Sequence, residues 1–247
     1  LMEKVTGTIL RGSISKKYLL APEDMRKGSL ALVDTLASLH GLDLDKTGLH
    51  QLGKPEGYVE RQVTGWIKRY RESETDQLKS MDELADWLSR HLPKVSESAF
   101  LHNDFKYDNV VFSPTDLSKI LAVLDWEMAT VGDPFMDLGT TLAYWSEAGD
   151  PEMLKSFNLT WLHGNLTRQE VLERYSHQRE IDLPDMLFYY AFATFKIGVI
   201  VQQIFYRYKN GQTKDPRFAG LLELVKANGE NGIRALEKGR ISNLYRS

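Results

Sequence analysis

The stretch that decides the fold lies in the middle of the chain, where polar loops alternate with short apolar runs. It contains His102-Asn103-Asp104-Phe105-Lys106-Tyr107-Asp108-Asn109 and, after an apolar segment, Leu124-Asp125-Trp126-Glu127. The apolar runs at residues 110–112 and 120–124, separated by a turn at 113–116, predict a β-hairpin preceded by a loop at 101–109. Such a hairpin would gather Asp104, Asn109 and Asp125 at one end.

Oxygen-bearing side chains in this order suit phosphoryl transfer. The reaction needs a hydroxyl held in line with a γ-phosphate, and Mg²⁺, which prefers oxygen ligands, to bridge the phosphates. The protein-kinase pattern likewise has an aspartate, an asparagine five residues later and then a metal-binding aspartate. Taken singly, these residues could instead cap turns, because Asp and Asn favour turns. Their combination favours a role in phosphoryl transfer over turn capping.

The chain resembles the aminoglycoside phosphotransferase and choline kinase superfamily, whose members have a protein-kinase-like fold. The resemblance rests on the family's His-Gly-Asp-x-x-x-x-Asn loop and Ile-Asp-Trp/Phe-Glu turn, and it covers residues 102–138 nearly throughout, including Gly132-Asp133-Pro134-Phe135-Met136-Asp137-Leu138. Within the superfamily the chain looks most like kinase-like domains related to those fused to acyl-CoA dehydrogenases. Residues 57–63 and 202–207 support this.

The resemblance implies roles for the matching residues. It implies that Asp104 orients and deprotonates the acceptor hydroxyl, that Lys106 neutralises the γ-phosphate, and that Asn109 and Asp125 hold Mg²⁺. It further implies that backbone groups of two hinge residues meet the adenine of ATP and that three other side chains support the site. The hinge residues are Glu3 and Val5, and the supporting residues are His102, Glu127 and Asp137.

The family's N-terminal lobe has no counterpart in the sequence. Its glycine-rich loop, strand lysine and helix glutamate should precede the hinge, which the resemblance places at residues 1–10. Residues 11–247 then form the mostly helical C-lobe, with a small β-hairpin at the catalytic loop, so the expected class is α+β. We therefore expect a fragment of a longer protein, and the chain alone to be inactive without the lysine that clamps the α- and β-phosphates.

Helices are predicted on both sides of the hairpin. Amphipathic periodicity predicts them from about residue 23 to 40, 57 to 72 and 81 to 92, with Gly41 and Pro93 as stop signals. Asp133 is placed to cap a later helix that has Pro134 at its first position. Residues 187–208 are apolar enough to span a bilayer, but a central lysine costs about 2.5–3.5 kcal/mol there. A buried core helix is the better interpretation.

Composition excludes several classes of protein. The 31 Lys and Arg residues against 34 Asp and Glu residues give a net charge of -3, so no global basic field would attract nucleic acid or an anionic membrane. The absence of cysteine excludes disulfides, thiolate zinc sites and a cysteine nucleophile. The first seven residues, Leu-Met-Glu-Lys-Val-Thr-Gly, have neither the basic start nor the apolar stretch of a signal peptide. We expect a cytoplasmic protein whose partner is a small-molecule hydroxyl acceptor; the oligomeric state stays open.

The acceptor class is suggested by a polar stripe on the apolar helix. Lys196, Gln203 and Arg207 lie within about 20° of one another on one helix face, where they could bind a carboxylate or phosphate. Alternatively, Lys196 snorkels to solvent and the others are solvated. A basic patch on an earlier helix, interpreted as a solvated face, comprises Arg61, Lys68, Arg69 and Arg71. A basic stripe argues against a polycationic aminoglycoside and favours an anionic hydroxylated compound such as a hydroxyacyl thioester.

Two further functions stay open. A pseudokinase or interaction module would keep the C-lobe without turnover, and a metal-dependent hydrolase would use the same acids without ATP. No histidine outside the motif has metal-ligand spacing, so His40, His50, His91, His163 and His177 are interpreted as surface or helix-end residues.

Overall fold

Two separate two-stranded antiparallel sheets lie at the centre of the chain in the computed structural model, which describes residues 4–11, 20–94, 97–156 and 158–246. β2 (Val110–Ser113) pairs with β3 (Asp116–Val123) as the predicted hairpin. β1 (Ala99–Leu101) pairs with β4 (Thr130–Gly132). The β1–β4 pair was missed, because its strands have three residues each and lie far apart in sequence.

Helices make up most of the remaining described chain. Before the sheets they are α1 (Pro22–His40), α2 (Leu44–Thr47), α3 (Tyr58–Ser73) and α4 (Lys79–Arg90). After the sheets they are α5 (Pro134–Tyr144), α6 (Glu152–Lys155), α7 (Arg168–Arg179), α8 (Leu187–Lys209) and α9 (Leu221–Lys238). The architecture is α+β and mostly helical, as predicted.

The ends of these helices follow the sequence signals. α1 begins at Pro22, and the backbone amide of Gly41 caps its carboxyl end. The Asp133 side chain accepts a 2.8 Å hydrogen bond from the backbone amide of Phe135, with Pro134 in the first turn of α5. This cap sets the start of α5, and therefore the position of Asp137 one turn later.

The apolar helix α8 is a core helix. It is long and apolar enough to cross a membrane by composition, but 78% of its most apolar 18-residue window is buried inside the protein. It packs against α3, α4, α5 and α9. α8 therefore lies among the other helices of the core, and its Lys196 reaches the loop between β1 and β2 through the Asn103 carbonyl oxygen.

The start of the described chain lies beside the hairpin. Thr8 and Phe112 exchange two backbone hydrogen bonds of 2.8 Å. Val5 is 40% exposed, whereas Glu3 lies outside the described residues. The assignment of residues 1–10 as a hinge, and of both residues to adenine binding, stays a prediction.

Candidate active site

The loop between β1 and β2 is held from below by one buried carboxylate. Asp137 on α5 accepts hydrogen bonds from the backbone amides of His102 at 2.7 Å and Asn103 at 2.9 Å. Burial raises the pKa of Asp137, but the hydrogen bond with His40 and the backbone donors lower it more, so the net pKa lies below its usual value. Asp137 is thus a buried anion that fixes the loop backbone immediately before Asp104.

His102 braces the same loop from the side. Its Nε2 lies 2.8 Å from the carbonyl oxygen of Leu124, and its Nδ1 lies 3.2 Å from the backbone nitrogen of Asp104. The amide must donate to Nδ1 and the carbonyl must accept from Nε2, so these contacts require the neutral ring protonated at Nε2. A ring in this state joins the start of the loop to the residue before Asp125.

Three side chains hydrogen-bond the Asp104 carboxylate. Lys106 Nζ lies 2.8 Å and 2.7 Å from its two oxygens, and Asn109 Nδ2 donates to Oδ2 at 2.8 Å and to the Asp104 carbonyl oxygen at 2.8 Å. Tyr144 on α5 also hydrogen-bonds Asp104, and its ring lies 4.5 Å from Lys106 Nζ. Burial and the Asp104 charge raise the pKa of Tyr144 well above its usual value, so it remains a donor. The carboxylate is held in one orientation.

Asp125 lies at the same end of the hairpin as Asn109. The backbone amide of Leu124 donates to the Asn109 carbonyl oxygen at 2.8 Å, and Asp125 follows with an exposed side chain and a φ of 64°. Because Asn109 Nδ2 is used by Asp104, its Oδ1 remains as an acceptor. An amide oxygen and a carboxylate are ligands that Mg²⁺ prefers. The pair could supply two oxygen ligands to such a cation. Among the described residues, no cluster of three His, Cys, Asp or Glu side chains could hold a metal on its own.

Asn103 also has a left-handed backbone, with a φ of 66°. Glycine occupies this position in the family pattern, and Asn is among the few other residues that tolerate the conformation. Its Oδ1 accepts from the hydroxyl of Tyr58 at 3.2 Å, and its Nδ2 donates to the Met128 carbonyl oxygen at 3.0 Å. The substitution therefore links the loop to α3 and to the segment after β3.

His40 corrects a sequence-based expectation. It ends α1, as interpreted, but it is 3% exposed and does not lie on the surface. Its Nε2 lies 3.2 Å from Asp137 Oδ2 and its Nδ1 lies 2.7 Å from the Tyr175 hydroxyl. His40 thus connects α1 and α7 to the carboxylate beneath the catalytic loop.

A cavity of about 430 Å³ opens beside Asn103, between α3, α8 and the segment after β3. Its lining includes Lys54, Tyr58, Arg61, Trp66, Arg69 and Lys196. The structure brings Lys196 to this cavity, where its Nζ donates to the Asn103 carbonyl oxygen at 3.1 Å. Gln203 and Arg207 line a separate hollow, which shares Arg69 with the first. The three residues of the predicted stripe are therefore not in one site.

One interpretation of the basic residues is wrong. Lys196 is 4% exposed, so it does not snorkel to solvent. Arg61, Lys68, Arg69 and Arg71 are all exposed, as expected of a solvated face, and two of them, Arg61 and Arg69, also line the cavity. Glu127 is exposed and lines this cavity as well. In the described part of the chain it contacts neither Asn109 nor Asp125.

Sequence analysis missed Tyr58, Trp66 and Tyr144 as site residues. A signal existed on α3, because Tyr58, Gln62, Trp66 and Arg69 recur at three- and four-residue spacing on one helix face. For Tyr144, which lies 40 residues after Asp104, no local pattern points to the contact. Only the position of α5 beneath the loop brings the two together.

These features are those of a kinase-like phosphotransferase. The chain belongs to the phosphotransferase enzyme family, whose sequence profile matches residues 1–174. A provisionally assigned aminoglycoside phosphotransferase from Ralstonia eutropha JMP134 superposes with a TM-score of 0.84 at 29% identity, covering 96% of this chain and 72% of that one. A choline kinase from Cryptosporidium parvum has the same fold, with a TM-score of 0.62 at 13% identity, covering 96% of this chain and 71% of that one.

Other similar proteins are named as acyl-CoA dehydrogenase family members. Rat acyl-CoA dehydrogenase family member 11 is 34% identical over 238 residues, which are 94% of this chain and 30% of that protein. Mouse acyl-CoA dehydrogenase family member 10 is 37% identical over 187 residues, covering 74% of this chain and 17% of that protein. The chain thus spans less than a third of the length of these relatives. Both agree with the predicted resemblance to kinase-like domains related to those fused to acyl-CoA dehydrogenases.

Proposed function

We propose that this chain carries the catalytic loop of a phosphotransferase that moves the γ-phosphate of ATP to a hydroxyl group of a small molecule. The observation that carries the proposal is the Asp104 carboxylate, held by Lys106, Asn109 and Tyr144 at the end of the hairpin that also bears Asp125. A turn-capping aspartate would not need a lysine, an amide and a buried phenol.

Asp104 acts as the general base. It accepts the proton of the acceptor hydroxyl while that oxygen forms a bond to the γ-phosphorus, and the bond from the γ-phosphorus to the bridging oxygen breaks to release ADP. Lys106 has three donors and can contact the phosphoryl oxygens while it still holds Asp104. His102 and Asp137 keep the loop backbone in place as charge moves.

Asn109 Oδ1 and the Asp125 carboxylate would hold Mg²⁺. When bound, the ion would supply positive charge that offsets the negative charge of the ATP phosphates. Glu127 is exposed at the rim of the neighbouring cavity, so a supporting role toward the metal depends on its side chain turning toward Asp125.

The acceptor is a small hydroxylated compound with negative charge. The basic residues beside Asn103 favour an anion over an aminoglycoside or a choline-like amine. The names of the relatives make a hydroxyacyl compound one candidate, and Gln203 and Arg207 could reach a long acceptor through the hollow that shares Arg69.

The roles are tested by turnover and by Mg-ATP binding, measured separately in the longest natural form of the protein that contains this chain. Asp104→Asn should lower kcat about 10²- to 10⁴-fold and leave Mg-ATP binding intact, because it removes only the base. Asp125→Ala should abolish the Mg²⁺ dependence of ATP binding, measured by calorimetry.

Asp108→Asn is the matched control in the same loop. Burial raises the pKa of Asp108, and its buried Oδ1 has no hydrogen-bond partner among the described residues, so an amide of equal size should be tolerated. Retained turnover in Asp104→Asn would contradict the assignment of the base. Mg-ATP binding without turnover of any acceptor would instead identify a pseudokinase.

A further inference from the structure

The cavity beside the catalytic loop has a strongly positive lining. Four of its lining side chains are cationic, and among the described lining residues Glu127 is the one acid; the cations are Lys54, Arg61, Arg69 and Lys196. An aminoglycoside or a quaternary amine would meet like charge here. An anion would not.

Lys196 is a buried charge without a protein counter-ion. It is 4% exposed, its one hydrogen bond goes to the Asn103 carbonyl oxygen at 3.1 Å, and its Nζ lies 5.8 Å from the centre of the Trp66 ring. No described carboxylate lies within ion-pair distance of it. An ammonium has three donors, and a buried cation with unfilled hydrogen-bonding capacity is costly unless a ligand satisfies it. Lys196 therefore marks the cavity as a candidate anion-binding site.

The cations of α3 divide into two sets. Lys68 pairs with Glu72, and Arg71 pairs with Asp82, so the cations outside the cavity have acidic partners. Arg69 lies over the Trp66 ring at 4.7 Å, and in the described chain it has no acidic partner.

Arg61 belongs to the same set as Arg69. Its guanidinium donates to the backbone carbonyl oxygens of Lys54 and Glu56, and no described acid pairs with it. Lys68 and Arg71, which do not line the cavity, thus have acidic partners, whereas Arg61 and Arg69, which line it with exposed side chains, have none among the described residues.

We propose that this cavity binds a carboxylate or phosphate group of the phosphoryl acceptor, and that Lys196, Arg61 and Arg69 restrict the acceptor to hydroxylated anions. The inference rests on the proposed phosphotransfer. Asn103, at the cavity floor, precedes Asp104, and consecutive Cα atoms lie about 3.8 Å apart. The cavity thus adjoins the residue before Asp104, and we expect one small molecule to carry both the anionic group and the reacting hydroxyl.

The burial of Lys196 also predicts a measurable proton uptake. Burial lowers its pKa to about 8, and the charges of Asp137 and Asp104 offset part of that effect. A bound anion would restore the favoured charged form, so anion binding near pH 8 should take up protons. Calorimetry in buffers of different ionisation enthalpy measures that uptake.

The experiment compares kcat/KM for glycerol, glycerate, glycerol 3-phosphate and choline with saturating Mg-ATP, in the longest natural form of the protein. Glycerate and glycerol 3-phosphate each retain hydroxyl groups of glycerol, so the difference from glycerol isolates the anionic group, and the two anions distinguish carboxylate from phosphate. We expect at least one anion to exceed glycerol about 10- to 100-fold, the range of a charge-assisted hydrogen bond.

Arg69→Gln should remove most of that preference, whereas Lys68→Gln on the same helix should keep it. Lys196→Met should also remove the preference without loss of thermal stability, because it deletes a buried charge. A merely structural lysine would instead give a less stable protein with unchanged selectivity. Equal rates for glycerol and both anions, or a preference for choline, would overturn the proposal.

Binding separates this proposal from the phosphotransfer on which it rests. If no compound is phosphorylated, the same two anions are titrated against wild type, Arg69→Gln and Lys68→Gln in the presence of Mg-ATP. Anion binding that only Arg69→Gln weakens would support the cavity and refute the proposed turnover. No binding by either anion at millimolar concentration would refute the anion site itself.

Discussion

At the scale of single residues, Lys196 is the side chain whose charge state matters most for the proposed acceptor. Its pKa lies near 8 because burial disfavours the charged form. Its neighbours are Asp104 and Lys106 on the catalytic loop, Asp137 on α5, and the cavity lining, whose charged members are Lys54, Arg61, Arg69 and Glu127. The arginines stay protonated throughout the accessible pH range.

The preference for an anionic acceptor should therefore fall as pH rises through about 8. Below that value Lys196 is charged and attracts the anion; above it the amine is neutral, while the arginines still contribute. The measurement is the ratio of kcat/KM for the preferred anion to that for glycerol between pH 6.5 and 9.5. Lys196→Arg should keep the ratio constant, because its guanidinium does not titrate in this range. A ratio that falls equally in both proteins would assign the titration to another group.

The sequence was enough to predict which residues form the motif, but not how deeply the site residues are buried. Asp104, Asn109 and Asp125 are set by local spacing, since the hairpin brings its ends together. Sequence analysis identified Lys196 as a polar residue on an apolar helix. Its position around the helix axis did not reveal whether α3 would bury it. Whether it snorkels depends on packing between elements, which no local pattern contains.

At the scale of elements, the site depends on how closely α5 approaches α8. A Cβ on Gly139 would lie 2.6 Å from the backbone carbonyl oxygen of Tyr189, closer than real Cβ atoms lie to such oxygens. The backbone of α5 at Gly139 therefore lies directly against the backbone of α8 at Tyr189. This contact keeps Asp137 and Tyr144, both on α5, beneath the catalytic loop.

Gly139→Ala should destabilise the protein by about 1–3 kcal/mol, as overpacking generally does. Gly65→Ala is the matched control within α3, where the new Cβ would meet only the end of the Arg69 side chain at 3.3 Å. There the higher helix propensity of alanine should stabilise the protein by about 0.5–1 kcal/mol. Chemical denaturation gives both values, and effects of the same sign would contradict this account of the α5–α8 contact.

The long amphipathic helices and the hairpin were predictable because each carries its own periodicity and stop signals. The β1–β4 pair was not, since three-residue strands have too little pattern and their partner is chosen by the fold. α2 and α6 have four residues each, and they depend on capping and on neighbouring chain more than on their own sequence.

At the scale of the whole molecule, a buried ionic cluster ties the C-terminal segment to the helices behind the site. Arg168, at the start of α7, is 1% exposed and pairs with Glu147 and Asp150. Its guanidinium also donates to the carbonyl oxygen of Ile241 at 3.2 Å, and Glu147 accepts from the hydroxyl of Ser242 at 2.5 Å. Sequence analysis identified no part of this cluster, because its members come from separate segments, with Ile241 lying 73 residues after Arg168.

Breaking this cluster from one side should be costly. Arg168→Met would leave two buried carboxylates without a cation, and removal of one partner from a buried ion pair typically costs about 3–5 kcal/mol. Arg174→Met provides the control on the same helix, because Arg174 pairs with Asp34 at 2.7 Å while both side chains are about a third exposed. A pair in that environment contributes about 0–1 kcal/mol.

Equilibrium unfolding of the two variants measures the difference, and amide exchange over residues 241–246 locates it. If Arg168 joins the C-terminal segment to α7, those amides should exchange faster in Arg168→Met and remain unchanged in Arg174→Met. Equal losses of stability in both variants would mean that the cluster adds nothing beyond a surface ion pair. The C-terminal segment would then be held by the apolar contacts of Ile241 and Leu244, both of which belong to the core.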